Sequence, residues 1–588
     1  MLKETTKLPR LSVTRALVLS IIVFSLSTLS YANDIRINGS VSVEGIYRDS
    51  DSNNSRFDET VGQVAPTFGI SYQSARVSAR LNARATHLER DNSDALNTQR
   101  NTFGSYNYNS RVELLENLLF LTADGGFSYR DGNPLNFLTS DFVNNSDNLV
   151  KTRTNSLAAN VVTQNNRRFL VNGVARFSRT ETDNTQRNEG RIEDNNYSLT
   201  GSIQSNSLRS NVIWDARGSY IETERGGANQ NSLMTRNYLA NAEIKVFDNF
   251  GAFVTTSHDA FQNESQDGNV NVQQFYSYGA GITYRQNRQR FLRLAFNKQF
   301  DSNIDVELAD DQDINDDDYF LSGELNWAIS QRSSIRGLYT RRSTGRTGQL
   351  ALNYNTRRIR ARVDYNDSVT SFSRLISSPE NLGVFVCQQG SSDIADCFQP
   401  ASLDYTLDAD EQFVNFLSPN FEVSNEVINR ESLIAQIGLQ GRLTNISFNT
   451  RYSLDSFIDS GRQTRTISVG STLSHNIGVR SRVSLSATYA RIQNNLSDTV
   501  GLDSENDNIN ASLVFTHSFR SPLTANLGMY YIERDAGGSI NQNFGLQERR
   551  LQLTIRYTFF NRNGARNQGG NNQNNGTPNV GNQNVGGF

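Results

Sequence analysis

A chain of 588 residues that is only 36% hydrophobic, with mean hydropathy −0.55, is too polar for one large apolar core; past its first thirty residues, no stretch could cross a membrane as a helix. Charge is balanced, 57 basic against 60 acidic residues (net −3), which removes the basic footprint of a nucleic-acid-binding protein. Lysine occurs only at Lys3, Lys7, Lys151, Lys245 and Lys298, so nearly all positive charge is arginine, whose planar fork suits fixed ion-pair ladders and carboxylate or sugar contacts.

The N-terminus reads as a secretory signal, residues 1–32. Lys3, Lys7, Arg10 and Arg15 precede the apolar run Ala16 to Leu29, and Ser30-Tyr31-Ala32 supplies small residues for cleavage. The competing reading is a membrane anchor, for which the run is short of the usual span of about 20 residues.

From Asn33 one pattern repeats: alternating strand, short turn, alternating strand, longer polar loop. In the first strand Ile35, Ile37, Gly39, Val41, Val43 and Tyr47 share one face, and Arg36, Asn38, Ser40, Ser42, Glu44 and Arg48 the other. Val77, Ala79, Leu81, Ala83 and Ala85 then alternate with Arg76, Ser78, Arg80, Asn82 and Arg84. Short turns are expected near Gln73-Ser74, Glu116-Asn117, Asp248-Asn249, Gln286-Asn287, Thr444-Asn445 and Asn476-Ile477, and long loops at Asp131–Val150, Glu181–Asp194 and Asp301–Asp318. Short turns at one end and long loops at the other describe a barrel in an outer membrane, turns periplasmic and loops outside. The expectation is therefore an all-β fold: a single transmembrane antiparallel up-and-down β-barrel over residues 33–560, with about 24 strands (range 20–26). Variable loop lengths argue against a β-solenoid, and apolar rows on every strand around a polar interior argue against a soluble sandwich.

The two faces differ. Tyr129, Tyr220, Tyr284, Trp327, Tyr365, Tyr452, Tyr489 and Tyr531 are expected in aromatic rims facing lipid. The lumen-lining candidates are Arg76, Arg80, Arg84, Asp124, Glu243, Arg293, Glu324, Arg336, Arg360 and Arg362, with Asp215 and Asp364 beside them. Residues Ser371 to Asn429 interrupt the rhythm on the extracellular side. They read either as a loop folding over or into the pore or as a surface loop stapled against proteolysis, and Cys387 and Cys397 within them read as a disulfide. The last alternating strand carries Leu551, Leu553, Ile555, Tyr557 and Phe559 on one face, an aromatic-ended closing signal of the kind read by barrel-insertion machinery. The Asn- and Gly-rich tail 561–588 cannot build a core and is expected to be disordered in the periplasm.

Residues 77–182 carry a resemblance. "RVSARLNARATHLERDNSDALN" is followed by "SRVELLENLLFLTADGGFSYRD", with the turn motif Glu113-Leu114-Leu115-Glu116-Asn117-Leu118-Leu119-Phe120, and then by "VKTRTNSLAANVVTQNNRRFLVNGVARFSRTETDN". This resembles the outer-membrane barrels associated with PEP-CTERM/exosortase exopolysaccharide systems. The resemblance implies a porin-like role in making or exporting an extracellular polysaccharide across the outer membrane of a Gram-negative bacterium, with periplasmic export components as partners beside outer-membrane lipid and lipopolysaccharide. It supplies no catalytic residues.

Little points to an enzyme. The histidines His87, His258, His475 and His517 all fall on outward rows, leaving the lumen without a tunable acid–base group. The acidic run Asp310 to Asp318 begins like a calcium loop at Asp311, Asp313 and Asn315, but Asp316 stands where glycine is required and no glutamate closes it. It reads as a solvated loop or a loose divalent contact; no metal and no cofactor are expected. A transporter with a globular plug before its first strand is disfavoured, because the first strand follows the signal directly. The two functions left open are a passive pore or component for polysaccharide export, and a structural or adhesive barrel without transport.

Overall fold

The computed structural model describes residues 35–559, interrupted mainly at 92–99, 132–141, 144–148, 184–191, 302–318, 378–383, 389–396, 399–410, 416–425, 496–503 and 539–544. The expected signal segment, the acidic run and the tail all lie outside the described residues.

Alternation becomes strand along nearly the whole described chain. The strands are β1 (Ile35–Ser52), β2 (Ser55–Gln73), β3 (Val77–Asp91), β4 (Arg100–Leu115), β5 (Leu119–Asp131), β6 (Leu149–Val162), β7 (Phe169–Thr182), β8 (Ile192–Ser205), β9 (Val212–Gly226), β10 (Ser232–Lys245), β11 (Phe250–Glu264) and β12 (Val270–Asn287). They continue with β13 (Arg290–Asp301), β14 (Tyr319–Ser330), β15 (Ser333–Arg342), β16 (Gly345–Asn355) and β17 (Ile359–Ser371), then the helix α1 (Phe372–Ser377). Three short strands, β18 (Val384–Gln388), β19 (Cys397–Phe398) and β20 (Glu411–Asn415), form a separate small sheet. The remainder are β21 (Val427–Gln440), β22 (Thr444–Phe457), β23 (Gln463–Asn476), β24 (Ser481–Asn495), β25 (Ser504–Ser518), β26 (Leu523–Gly538) and β27 (Leu546–Phe559).

Twenty-four strands pair antiparallel, each with its neighbour in sequence apart from the step from β17 to β21, and β1 pairs with β27 to close the ring. Closure satisfies every ladder and leaves no open edge for lipid to meet. The parity of the two faces stays consistent around the ring: Glu44 opposes Thr554 in the bore, and Val43 opposes Ile555 outside. Large apolar side chains, such as Leu157, Leu199, Val254, Ile282, Phe296, Leu485 and Leu553, stand exposed on all sides of the outer surface. A belt of this kind is what hydrocarbon covers in a transmembrane barrel, and among the described residues no helix is long and apolar enough to span a membrane.

Both end strands run longer than their apolar rows. Above Tyr47, β1 and β27 continue as a polar ladder through Asp49 opposite Arg549 and Asp51 opposite Gln547, so backbone pairing outlasts hydrophobic periodicity. Two turns are displaced from their expected places. Gln286 and Asn287 both belong to the end of β12. Thr444 and Asn445 begin β22, and the reversal is made by Gly441 to Leu443, where the Gly441 N–H donates to the Thr444 carbonyl at 2.7 Å. The ELLENLL motif is a bulged hairpin turn: the register shifts between Glu113 and Leu115, and Asn117 takes a left-handed φ of 55°.

All eight aromatic rows point outward by register, Tyr129 on the face of Phe127 and Leu157. Tyr129 differs in what its ring touches. The β4–β5 pairing ends at Tyr106 and Phe127, and above it Phe142 and Val143, from the following connection, pack against Phe103 and Tyr129. Phe103 joins Ile46, Val61 and Leu88 in an apolar cluster on the bore side, so Tyr129 serves that cluster and not the lipid rim.

Candidate functional site

The functional surface of such a barrel is its bore. Of the sequence candidates, Arg80, Arg84, Asp124, Glu243, Arg293, Glu324, Arg336, Arg360 and Arg362 all face it, as do Asp215 and Asp364. Arg76 does not. It precedes β3 in the β2–β3 turn, which Ser74 closes by accepting the Val77 N–H on its hydroxyl at 3.1 Å, and it is exposed there.

Four of these bore residues converge. Arg293 Nη2 lies 2.7 Å from Asp215 and 3.4 Å from Glu243, and its Nη1 lies 3.1 Å from Glu324. Arg285 grips Glu243 at 2.7 Å, and Arg217 reaches Glu324 at 3.1 Å. Three guanidinium groups thus meet three carboxylates, and the group is internally neutral. Arg293 also lies over the rings of Phe253 and Phe291, at 5.7 and 5.1 Å. Glu243 and Arg293 are 1% and 3% exposed, so the network is a packed constriction and not a wet charged lining.

Its geometry requires a folded wall. Arg217 is on β9 and Glu324 on β14, five strand spacings or about 24 Å apart along a smooth sheet. They meet because the wall turns sharply at β12. Gly279 and Gly281 face the bore there, and a methyl at Gly281 would strike the Leu294 carbonyl and the Phe253 ring. Beside the network is a small cleft of about 60 Å³, room for a few waters, lined among others by Asn237, Asn241, Thr255, Ser257 and Phe253.

The second constriction is nearer the extracellular end. Directly after β17 the chain turns inward as α1 and crosses to the wall formed by β8–β10. Phe372 and Leu375 pack on Ile192. Arg374 donates from Nε to Thr223 Oγ1 at 2.7 Å, from Nη1 to Thr235 Oγ1 at 3.2 Å, and from Nη2 to the carbonyls of Leu233 and Ile221 at 2.9 and 3.1 Å. Burial pushes this guanidinium down to about 9, with Arg225 acting in the same sense and Asp194 opposing, so it keeps its proton at neutral pH. Leu233 and Phe261 also meet Val427 from the start of β21, so the two walls touch at this level. The first residues of the long interruption therefore enter the pore. Cys387 and Cys397 occupy facing register positions on β18 and β19; their side chains lie outside the described residues.

A second bore-side ion group crosses the closing seam. Arg48 lies 2.5 Å from Glu59 and 3.6 Å from Glu548, which in turn lies 2.7 Å from Arg550. Sequence reading missed Arg48, Glu59, Glu548 and Arg550 as a group, because only the β1–β27 register brings them together. Alternation gave Arg285 and Arg217 the same signal as any other inward arginine. Arg374, beyond the last regular position of β17, had none. Among the remaining candidates, Asp124 pairs with Arg176 at 3.4 Å, Arg360 donates to Asn355 at 3.1 Å, and Arg362 is bonded to Asp364. All four histidines face outward; His87, His475 and His517 are bonded to Thr102, Thr444 and Ser481.

Neither a family model nor a curated protein sequence matches the chain. Many solved structures do, among them the FrpB iron transporter from Neisseria meningitidis (F3-3 variant), at 9% identity and TM-score 0.42 over 91% of this chain and 83% of that one. The siderophore receptor PirA from Acinetobacter baumannii aligns at 11% identity and TM-score 0.41, covering 89% of this chain and 80% of that one. OccAB2 from Acinetobacter baumannii aligns at 9% identity and TM-score 0.30, covering 89% and 98%.

Proposed function

We propose that the chain is an outer-membrane barrel of a Gram-negative bacterium, exported after loss of residues 1–32, and a passive, gated component for producing or exporting an extracellular polysaccharide. The observation that supports this best is the composition of the bore wall at its narrow level. At the edge of the Arg293 network the partly exposed Arg217, Asn237, Thr255 and Ser257 present donors and acceptors, the chemistry by which a protein holds sugar hydroxyls. Periplasmic export components and polysaccharide are the partners this reading requires, and a Cys387–Cys397 disulfide would brace the loop that carries α1.

A structural or adhesive barrel is the second reading, favoured by one observation: α1 and the Arg293 network both obstruct the bore. The two readings separate in a planar bilayer. For the gated conduit, the wild type conducts little and Arg374→Ala, which frees α1 from the β9–β10 wall, raises conductance severalfold. A variant as silent as the wild type, while still folded by its heat-dependent gel mobility, would favour the structural barrel.

A further inference from the structure

The outer face of β9–β14 carries a row unlike the rest of the lipid-facing surface. By register Tyr220 opposes Arg236, Tyr238 opposes His258, His258 opposes Tyr276, and Lys298 stands between Tyr278 and Tyr319. The row is continuous across six strands. It sits toward the loop ends: Lys298 is the ninth residue of β13, about 20 Å above the start of a strand tilted by about 45°, in the outer half of an apolar band about 25 Å tall.

Two cations in this row lack a carboxylate partner among the described residues. Lys298 Nζ rests over the rings of Phe300 and Tyr319, 5.4 and 5.7 Å from their centroids. Arg236 lies over Tyr220 at 5.9 Å and donates to Met234 Sδ at 3.1 Å. Glu222, an acidic side chain on the same face, is held by the Tyr220 hydroxyl at 2.6 Å. The pattern differs from the outer face of β24–β25, where Arg491 is matched by Asp507 at 2.8 Å. A cation turned toward lipid without a counter-charge is costly unless the lipid supplies one. Around the pair Tyr238, Tyr276 and Tyr278 are 45%, 42% and 53% exposed, giving flat amphipathic surface beside the cations.

We propose that this row is a binding site for a phosphorylated glycolipid of the outer leaflet, with Lys298 and Arg236 each taking a phosphate and the tyrosines lying against the sugar head. Three strand spacings across the sheet and four residues along it separate the two cations, about 20 Å, so each takes a phosphate of its own along the row. The assignment rests on the outer-membrane reading above but is independent of transport.

The test uses the full-length barrel purified in detergent, with binding of diphosphorylated lipid A measured against its dephosphorylated form. The expected result is preference for the phosphorylated lipid, lost by tenfold or more in the Lys298→Gln, Arg236→Gln double variant and retained in Arg236→Lys. Equal binding of both lipids by the wild type, or unchanged preference in the double variant, would overturn the site. So would phosphate preference that emerges only when the aspartates of the 310–318 run are changed to Asn, because that segment would then be the occupant. Heat-dependent gel mobility checks that each variant is folded. Membrane fractionation reads the outer-membrane location separately, so failure of either idea is recognised without the other.

Discussion

Arg293 sits among three carboxylates, so replacing it does more than remove one charge. In Arg293→Gln, Asp215, Glu243 and Glu324 face one another across the fold of the wall with only Arg285 and Arg217 to offset them. Breaking a buried ion group by removing one partner costs about 3–5 kcal/mol. The expected outcome is a loss of that size in urea unfolding of the barrel in lipid vesicles. Arg336→Gln, at an exposed bore position with no ion pair among the described residues, should stay within about 0.5 kcal/mol. Equal losses would mean that the network is not what holds the corner. A second residue-scale prediction concerns Asn117, whose left-handed backbone suits Asn or Gly and disfavours a β-branched side chain. Asn117→Gly should be neutral within about 0.5 kcal/mol, and Asn117→Val should cost about 1–2 kcal/mol in the same assay. Equal stability of the two would contradict the turn geometry.

At the scale of elements, the sequence was most legible where one period governs. Strand number, closure between the first and last strands, the direction of the bore rows and the outward parity of the aromatics follow from alternation, because a side-chain period of two leaves each residue one of two faces. Alternation also misleads at its ends. Arg76 keeps the rhythm one position beyond β3 and so reads as wall when it is turn, and Tyr129 keeps it above the level where β4 and β5 remain paired. What it could not supply is curvature. Glu243, Arg293 and Glu324 were readable as separate bore residues, but their meeting depends on Gly279 and Gly281 letting the wall fold back, and a glycine in a strand has many other uses. The glycine corner carries its own prediction: Gly281→Val should collapse the Arg293 network and cost stability at least as great as Arg293→Gln, whereas Gly438→Val, where an added methyl meets open space, should be tolerated. Similar urea midpoints for both glycine variants would remove the corner from the explanation. Helix α1 was legible only as a break in rhythm, since its docking depends on hydroxyls and carbonyls of distant strands that alternation cannot pair with Arg374.

For the whole molecule, the decisive step is closing the ring between strands about five hundred residues apart in sequence, and β27 carries the means on its outer face. Leu551, Leu553, Ile555 and Tyr557 are each about half exposed toward the membrane, and the Phe559 ring lies over Gly39, whose missing side chain leaves room for it across the seam. Their neighbours Thr554 and Thr558 face the bore, with Thr554 5% exposed. Replacing Tyr557 and Phe559 together with Ala removes two rings from the lipid rim and uncovers Gly39, a loss of about 2–4 kcal/mol from apolar burial alone. Replacing Thr554 and Thr558 removes two small bore-side groups and leaves the rim intact. The aromatic double variant should therefore lose most of its heat-resistant, outer-membrane-inserted form, and the threonine double variant should keep nearly all of it. The measurement is the folded fraction in outer-membrane preparations, read on unheated gels. If closure were driven by the bore-side ion group of Arg48, Glu548 and Arg550 instead, both pairs would be tolerated and Glu548→Gln alone would block insertion, so the three variants together decide which face of the seam closes the barrel.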